Sequence, residues 1–125
     1  MTREEFIRKL GHEGYTHKIE GDKIIVTYYT NVYLNKLVSI PENVIFDNGG
    51  SVYLDGITEL PEGIQFTNKG SANMKRLTLD KLRPGVFKNR DSFWCDEFNN
   101  INWKCNIPGV SKGRVFDLTI KRVLV

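Results

Sequence analysis

Between residues 31 and 70 the apolar positions recur every twenty residues. Written in blocks, the chain reads NVYLNKLVSIPENVIFDNGG and then SVYLDGITELPEGIQFTNKG, with no gap. Val32 pairs with Val52, Tyr33 with Tyr53, Leu34 with Leu54, Leu37 with Ile57 and Ile40 with Leu60. Pro41 then pairs with Pro61, Val44 with Ile64, Phe46 with Phe66, Asn48 with Asn68 and Gly50 with Gly70. A fixed period of this length is the signature of a repeat architecture, in which one unit cannot bury its own apolar face and neighbours bury it instead.

Each unit has a physical reading. Val-x-Leu has the two-residue period of a short strand with one buried face. Leu-x-x-Ile/Leu-Pro is a looser segment that proline ends, because proline lacks an N–H donor. Val/Ile-x-Phe is a second short strand. Asn-x-Gly is expected to turn the chain back through positive φ, which Asn and Gly tolerate. Units stacked about 4.8 Å apart place Asn48 over Asn68, and an amide ladder inside the turn is expected there. The prediction is a mainly β fold, a short β-solenoid of about three 20-residue coils.

Weaker copies flank the two clear ones. Ile24 and Val26 stand twenty residues before Val44 and Phe46. Ala72, Met74 and Leu77 stay in register, and an insertion of one or two residues precedes Val86 and Phe87. The chain divides into an N-terminal cap (1–22), repeat coils (23–90) and a C-terminal cap (91–125), all in one domain. Thr2 and Glu5 fit a capping box, opening a short helix with Phe6, Ile7 and Leu10 on one side and Gly11 as the stop. The other cap is aromatic, SFWCDEFNNINWKC over 92–105, followed by a helix expected over 111–122. An open end of the stack offers a strand edge on which two copies can pair.

The run Leu-x-x-Leu-Pro-x-x-Ile-x-Phe-x-Asn resembles the short-period bacterial leucine-rich repeat. It also resembles small β-solenoid repeat proteins of phages and gut bacteria. The likeness spans about 24–86 and lacks the fuller strand segment of the standard leucine-rich repeat. A true leucine-rich repeat and a two-strand β-solenoid both remain open. The resemblance implies protein–protein recognition, such as a phage-encoded inhibitor or adaptor of a host defence protein. It supplies no catalytic residues.

Composition adds little to class but something to partners. A hydrophobic fraction of 40% and a charged fraction of 26% fit a globular domain. The N-terminal stretch lacks a signal-peptide core and no apolar run would span a bilayer, so a cytoplasmic location without membrane contact is expected. There Cys95 and Cys105 are expected as free thiols. The net charge of +3 is unevenly placed. Residues 1–65 carry −4 and residues 66–125 carry +7. The densest cations are Lys69, Lys75, Arg76, Lys81, Arg83, Lys88 and Arg90, which make nucleic-acid binding the alternative function.

No catalytic or cofactor motif stands out. His12 and His17 lack helical spacing and a third ligand, so surface histidines are expected and no metal site. Asp96 and Glu97 beside Cys95 oppose a reactive thiolate. Asp22, Asp55, Glu59 and Glu62 form no distinctive carboxylate pair, and Asp47-Asn-Gly-Gly50 lacks the context of a phosphate loop. Tyr33 and Tyr53 are expected to stack on the outer face, with Tyr28 and Tyr29 just before them. These four, with Trp94 and Trp103, are the expected partner-binding residues of a non-catalytic interaction module whose partner is a host protein or the chain itself.

Overall fold

A computed structural model of the chain describes residues 1–78, 81, 86 and 88, together with the backbone of 93–94. Arg83, Arg90, Cys95, Trp103, Cys105 and the helix expected over 111–122 lie outside these residues, as does the side chain of Trp94. The described part is mainly β, with one N-terminal helix and two sheets. Among the described residues no helix is long and apolar enough to cross a membrane.

Helix α1 spans Arg3–His12. Its capping box is complete: the Thr2 hydroxyl accepts from the Glu5 N–H, and the Glu5 carboxylate accepts from the Thr2 N–H. The stop comes later than Gly11. Gly14 takes φ +77, its N–H bonds the Gly11 carbonyl, and the Tyr15 N–H reaches back to the Leu10 carbonyl. Those two bonds make a Schellman closure centred on Gly14 rather than Gly11. Phe6 and Leu10, one helical turn apart, are fully buried against the strands.

The N-terminal cap contains a strand that the sequence reading did not assign. Strand β1 (His17–Glu20) pairs antiparallel with β2 (Lys23–Val26). The two-residue turn Gly21-Asp22 has positive φ at Gly21 and not at Asp22, the pattern of a type II′ hairpin turn. From β2 onward the chain alternates between the two sheets. Strands β3 (Val32–Tyr33), β5 (Val52–Tyr53) and β7 (Ala72–Asn73) enter one sheet, while β4 (Val44–Phe46) and β6 (Gln65–Phe66) enter the other. Strand β8 (Phe93–Trp94) adds to β7. The first sheet has the order β3-β5-β7-β8 and is wholly parallel; the second has the order β1-β2-β4-β6 and is mixed.

Register follows the sequence period. Val32 lies opposite Val52, Val52 opposite Ala72, Ile24 opposite Val44 and Phe46 opposite Phe66. The rings of Phe46 and Phe66 stack with centroids 5.2 Å apart and planes within 9°. Between the sheets lie Val26, Val44, Phe46, Ile64 and Phe66 from one side and Val32, Leu34, Val52, Leu54 and Met74 from the other. The third unit is one residue longer. Phe66 accepts from the Lys88 N–H and donates to the Val86 carbonyl, so the ladder is centred 21 residues on, and β7 and β8 pair with the same offset.

Two expectations about the turns are corrected. The positive φ values fall at Asn43 (60°) and Gly63 (74°), one position after Pro-Glu, and not at Asn-x-Gly. Glycine in the latter turn answers to proximity: a Cβ on Gly49 would lie 2.1 Å from the Tyr29 carbonyl oxygen. Asn48 and Asn68 do not bond each other. Each donates through Nδ2 to two main-chain carbonyls, Thr30 and Ser51 for Asn48, and Gly50 and Ser71 for Asn68. Both are buried, and neither Oδ1 accepts a bond among the described residues. A carbonyl of the previous unit competes more effectively for each amide than a second amide does.

Two alanine substitutions should therefore act with opposite sign in urea denaturation. Gly49→Ala drives a methyl into fixed backbone and is expected to destabilise by about 1–3 kcal/mol or more. Gly11→Ala places its methyl where nothing lies within 4 Å, inside α1, and is expected to stabilise by about 0.5–1 kcal/mol.

Candidate functional site

Parallel pairing in register sets like residues one strand spacing apart on the same face. The outward column of the parallel sheet is Tyr33, Tyr53 and Asn73, and the backbone of Trp94 pairs in register with that of Asn73. The first two rings stack as expected, with centroids 4.8 Å apart and planes within 6°. Beside them runs a polar column. Asn31 accepts from the Ser51 N–H through Oδ1 (2.8 Å) and donates to the Tyr33 hydroxyl through Nδ2 (3.0 Å). Ser71 donates to the Ser51 hydroxyl, and Asn73 donates to that of Ser71. The Tyr33 phenol is thus held at both its ring and its oxygen.

Tyr28 and Tyr29 follow β2 at the same end of the molecule, their ring centroids 4.7 Å apart. A fifth tyrosine, which the sequence reading left out, links the two pairs. Tyr15 leaves the Schellman turn and packs partly on the core, its ring edge-on to Tyr28 at 4.9 Å. Its hydroxyl accepts from the Tyr33 N–H at 2.9 Å and lies 3.5 Å from the Tyr33 carbonyl oxygen, to which it donates. All five tyrosines of the chain therefore join one continuous group. Tyr29 is 78% exposed and Tyr33 is 55% exposed, whereas Tyr15, Tyr28 and Tyr53 are partly buried. A residue ten or more positions upstream of its partners carries no periodic signal. Only the alternating His17–Glu20 stretch, by implying a hairpin, pointed to where Tyr15 would be delivered.

The Tyr28 phenol is pushed above its ordinary value. A hydrogen bond with Tyr29 is the main cause, followed by burial and by the neighbouring Tyr29 and Tyr15 phenols.

The cations are not gathered in the same way. Lys69, Lys75, Arg76, Lys81 and Lys88 are all exposed. Lys69 and Lys88 lie in the segment leaving the mixed sheet, Lys75 and Arg76 just after β7, and Lys81 further along that connection, 3.5 Å from Glu59. The five thus belong to separate stretches of the chain. The carboxylates are engaged singly. Asp22 accepts from Asn43, Asp47 from Thr67 and Asp55 from the Lys75 N–H. Glu42 and Glu62 face solvent. His12 is exposed at the end of α1 and His17 lies in β1. Among the described residues no three His, Cys, Asp or Glu side chains converge as a metal site. An open concavity of about 510 Å³ is lined by Arg3, Asp22, Glu42 and Asn43. Its arginine is already committed to the Gly21 and Asp22 carbonyls.

No protein-family model, curated protein or solved structure matches the chain.

Because Tyr28 ionises late, its neutral form is the one the folded state prefers. Its contribution to stability is present below the ordinary tyrosine value of 10.0 and is lost as pH rises through the higher folded value. Ultraviolet titration is expected to show a phenol that ionises above the ordinary tyrosine value. In Tyr29→Phe, which removes the main cause, that late step should move back toward the ordinary range.

Proposed function

We propose that the chain is a short two-strand β-solenoid that acts as a non-catalytic protein-binding module, with the five-tyrosine group as its contact surface. The coincidence of the 20-residue period with parallel pairing supports the solenoid reading. One strand per sheet in each unit favours the two-strand form over a leucine-rich repeat. The observation that carries the functional reading is the gathering of all five tyrosines at one end, with Tyr29 and Tyr33 open to solvent. Tyrosine brings a large contact area with few rotatable bonds, and it is enriched where binding energy concentrates. Here the rings are fixed before any partner arrives, by stacking, by Asn31 and by Tyr15. Less conformational freedom is then lost on association. The order of the surface is inherited from the repeat: the sheet spacing that buries Val32 and Val52 also sets Tyr33 over Tyr53.

The test is an affinity capture from lysate of the natural host, with and without nuclease, comparing the parent with Tyr33→Ala/Tyr53→Ala. Circular dichroism establishes that the variant remains folded. The expected result is a protein captured by the parent, retained after nuclease and lost from the folded variant. Recovery of nucleic acid, or capture that the variant does not weaken, overturns the reading in favour of the lysine and arginine side chains of 69–90.

A further inference from the structure

Both sheets present an edge at the N-terminal end, and the two edges differ. In the parallel sheet the edge strand is β3, where the outward N–H and C=O of Tyr33 are both bonded to the Tyr15 hydroxyl. In the mixed sheet the edge strand is β1. Ile24 donates toward β4 and Val26 accepts from β4, so the main-chain groups of Lys23, Ile25 and Thr27 face β1. The Thr27 N–H indeed bonds the Thr16 carbonyl. By the alternation of an antiparallel pair, Thr16, Lys18 and Glu20 bond inward, and the N–H and C=O of His17 and Ile19 point out from the sheet. No described residue bonds them. The Ile19 side chain is 47% exposed, and Lys18 and Glu20 share the opposite face of the strand, 3.2 Å apart.

We propose that β1 is a self-pairing edge on which a second copy of this chain docks antiparallel, joining the two four-stranded mixed sheets into one. Outward groups at His17 and Ile19 allow only registers that set odd residues against odd ones. Ile19 opposite Ile19 of the second copy is one such register. It places Lys18 opposite Glu20 of the other copy, twice by symmetry, and it covers the two isoleucines with each other. A slip of two residues one way opposes Lys18 to Lys18; the other way it opposes Glu20 to Glu20. The charge pattern therefore selects one register and penalises its neighbours. A lone charge on an edge strand repels a second copy. A Lys–Glu couple two residues apart on one face instead meets its complement when the strands run antiparallel.

Sedimentation equilibrium of the full chain tests this with Lys18→Glu, Glu20→Lys, the double swap K18E/E20K, and an equimolar mixture of the two single variants. The parent is expected to show a concentration-dependent dimer. Each single variant opposes like charges and is expected to raise the dimer dissociation constant at least about tenfold. The double swap and the mixture restore opposite charges in the same register and are expected to recover the dimer, even though each single variant has lost the bridge within its own strand. Hydrogen exchange should slow at the Ile19 amide as the dimer fills. Since β1 lies in the other sheet from Tyr33 and Tyr53, Tyr33→Ala/Tyr53→Ala is expected to dimerise as the parent does. A parent that stays monomeric up to roughly 1 mM, single variants that dimerise as well as the parent, or a double swap and mixture that fail to recover would each overturn the proposal.

Discussion

Main-chain hydrogen bonding between residues one period apart is the constraint on which the other features depend. Val32 donates to the Ser51 carbonyl as Val52 donates to that of Ser71, and Leu34 donates to Tyr53 as Leu54 does to Asn73. Strands of two or three residues carry too little pairing to stand alone, so each unit is stable only through its neighbours. Once the ladder is in register, every side chain meets its own counterpart. That puts Phe46 on Phe66 in the core, Tyr33 on Tyr53 outside, and Asn48 and Asn68 in the same buried corner. Side chains extend the ladder where backbone alone does not reach. Asn31 accepts from the Ser51 N–H, Asn35 from that of Asp55 and Asp55 from that of Lys75.

What the sequence disclosed and what it hid divide along this line. Periodic features were legible: the strands near 32, 44, 52 and 65, the buried set from Ile24 to Leu77, an insertion of one or two residues before Val86, and the tyrosine stack. The capping box at Thr2 was legible because it is local. The aperiodic N-terminal features were not. β1 was obscured by the glycines around it, although Gly21-Asp22 between alternating residues is a hairpin signal. Tyr15 depends on a Schellman turn centred three positions beyond the stop that Gly11 suggested. Its partner is an amide eighteen residues away. The cations are close in sequence, and the described ones follow different elements, Lys69 after β6, Lys75 and Arg76 after β7.

The N-terminal segment does several jobs in a short length. Phe6 and Leu10 close the core of the first unit, Tyr15 satisfies one sheet edge, and β1 lengthens the other sheet by one antiparallel strand. A terminal unit must replace the partner that an interior unit would have had. Here the replacement differs on the two sides, a single hydroxyl for β3 and a whole strand for β2. The tyrosine group results from the first of these solutions, since it is through Tyr15 that the ring pair after β2 and the stacked column are joined.

The offset between paired strands also sets a grammar for changes in length. Removal of one whole unit from 31–70 would bring Val52 to the place of Val32 and Phe66 to that of Phe46, with the same donors facing the same acceptors. Loss of a single residue from within a strand would instead turn its apolar side chains outward. The longer third unit shows that an extra residue is accommodated in a connection, where no strand pairing is displaced. Length in such a chain is quantised. Gain or loss of whole 20-residue blocks would lengthen or shorten the surface in steps, adding or removing an outward position in the tyrosine column each time while leaving the pattern of main-chain hydrogen bonding in register.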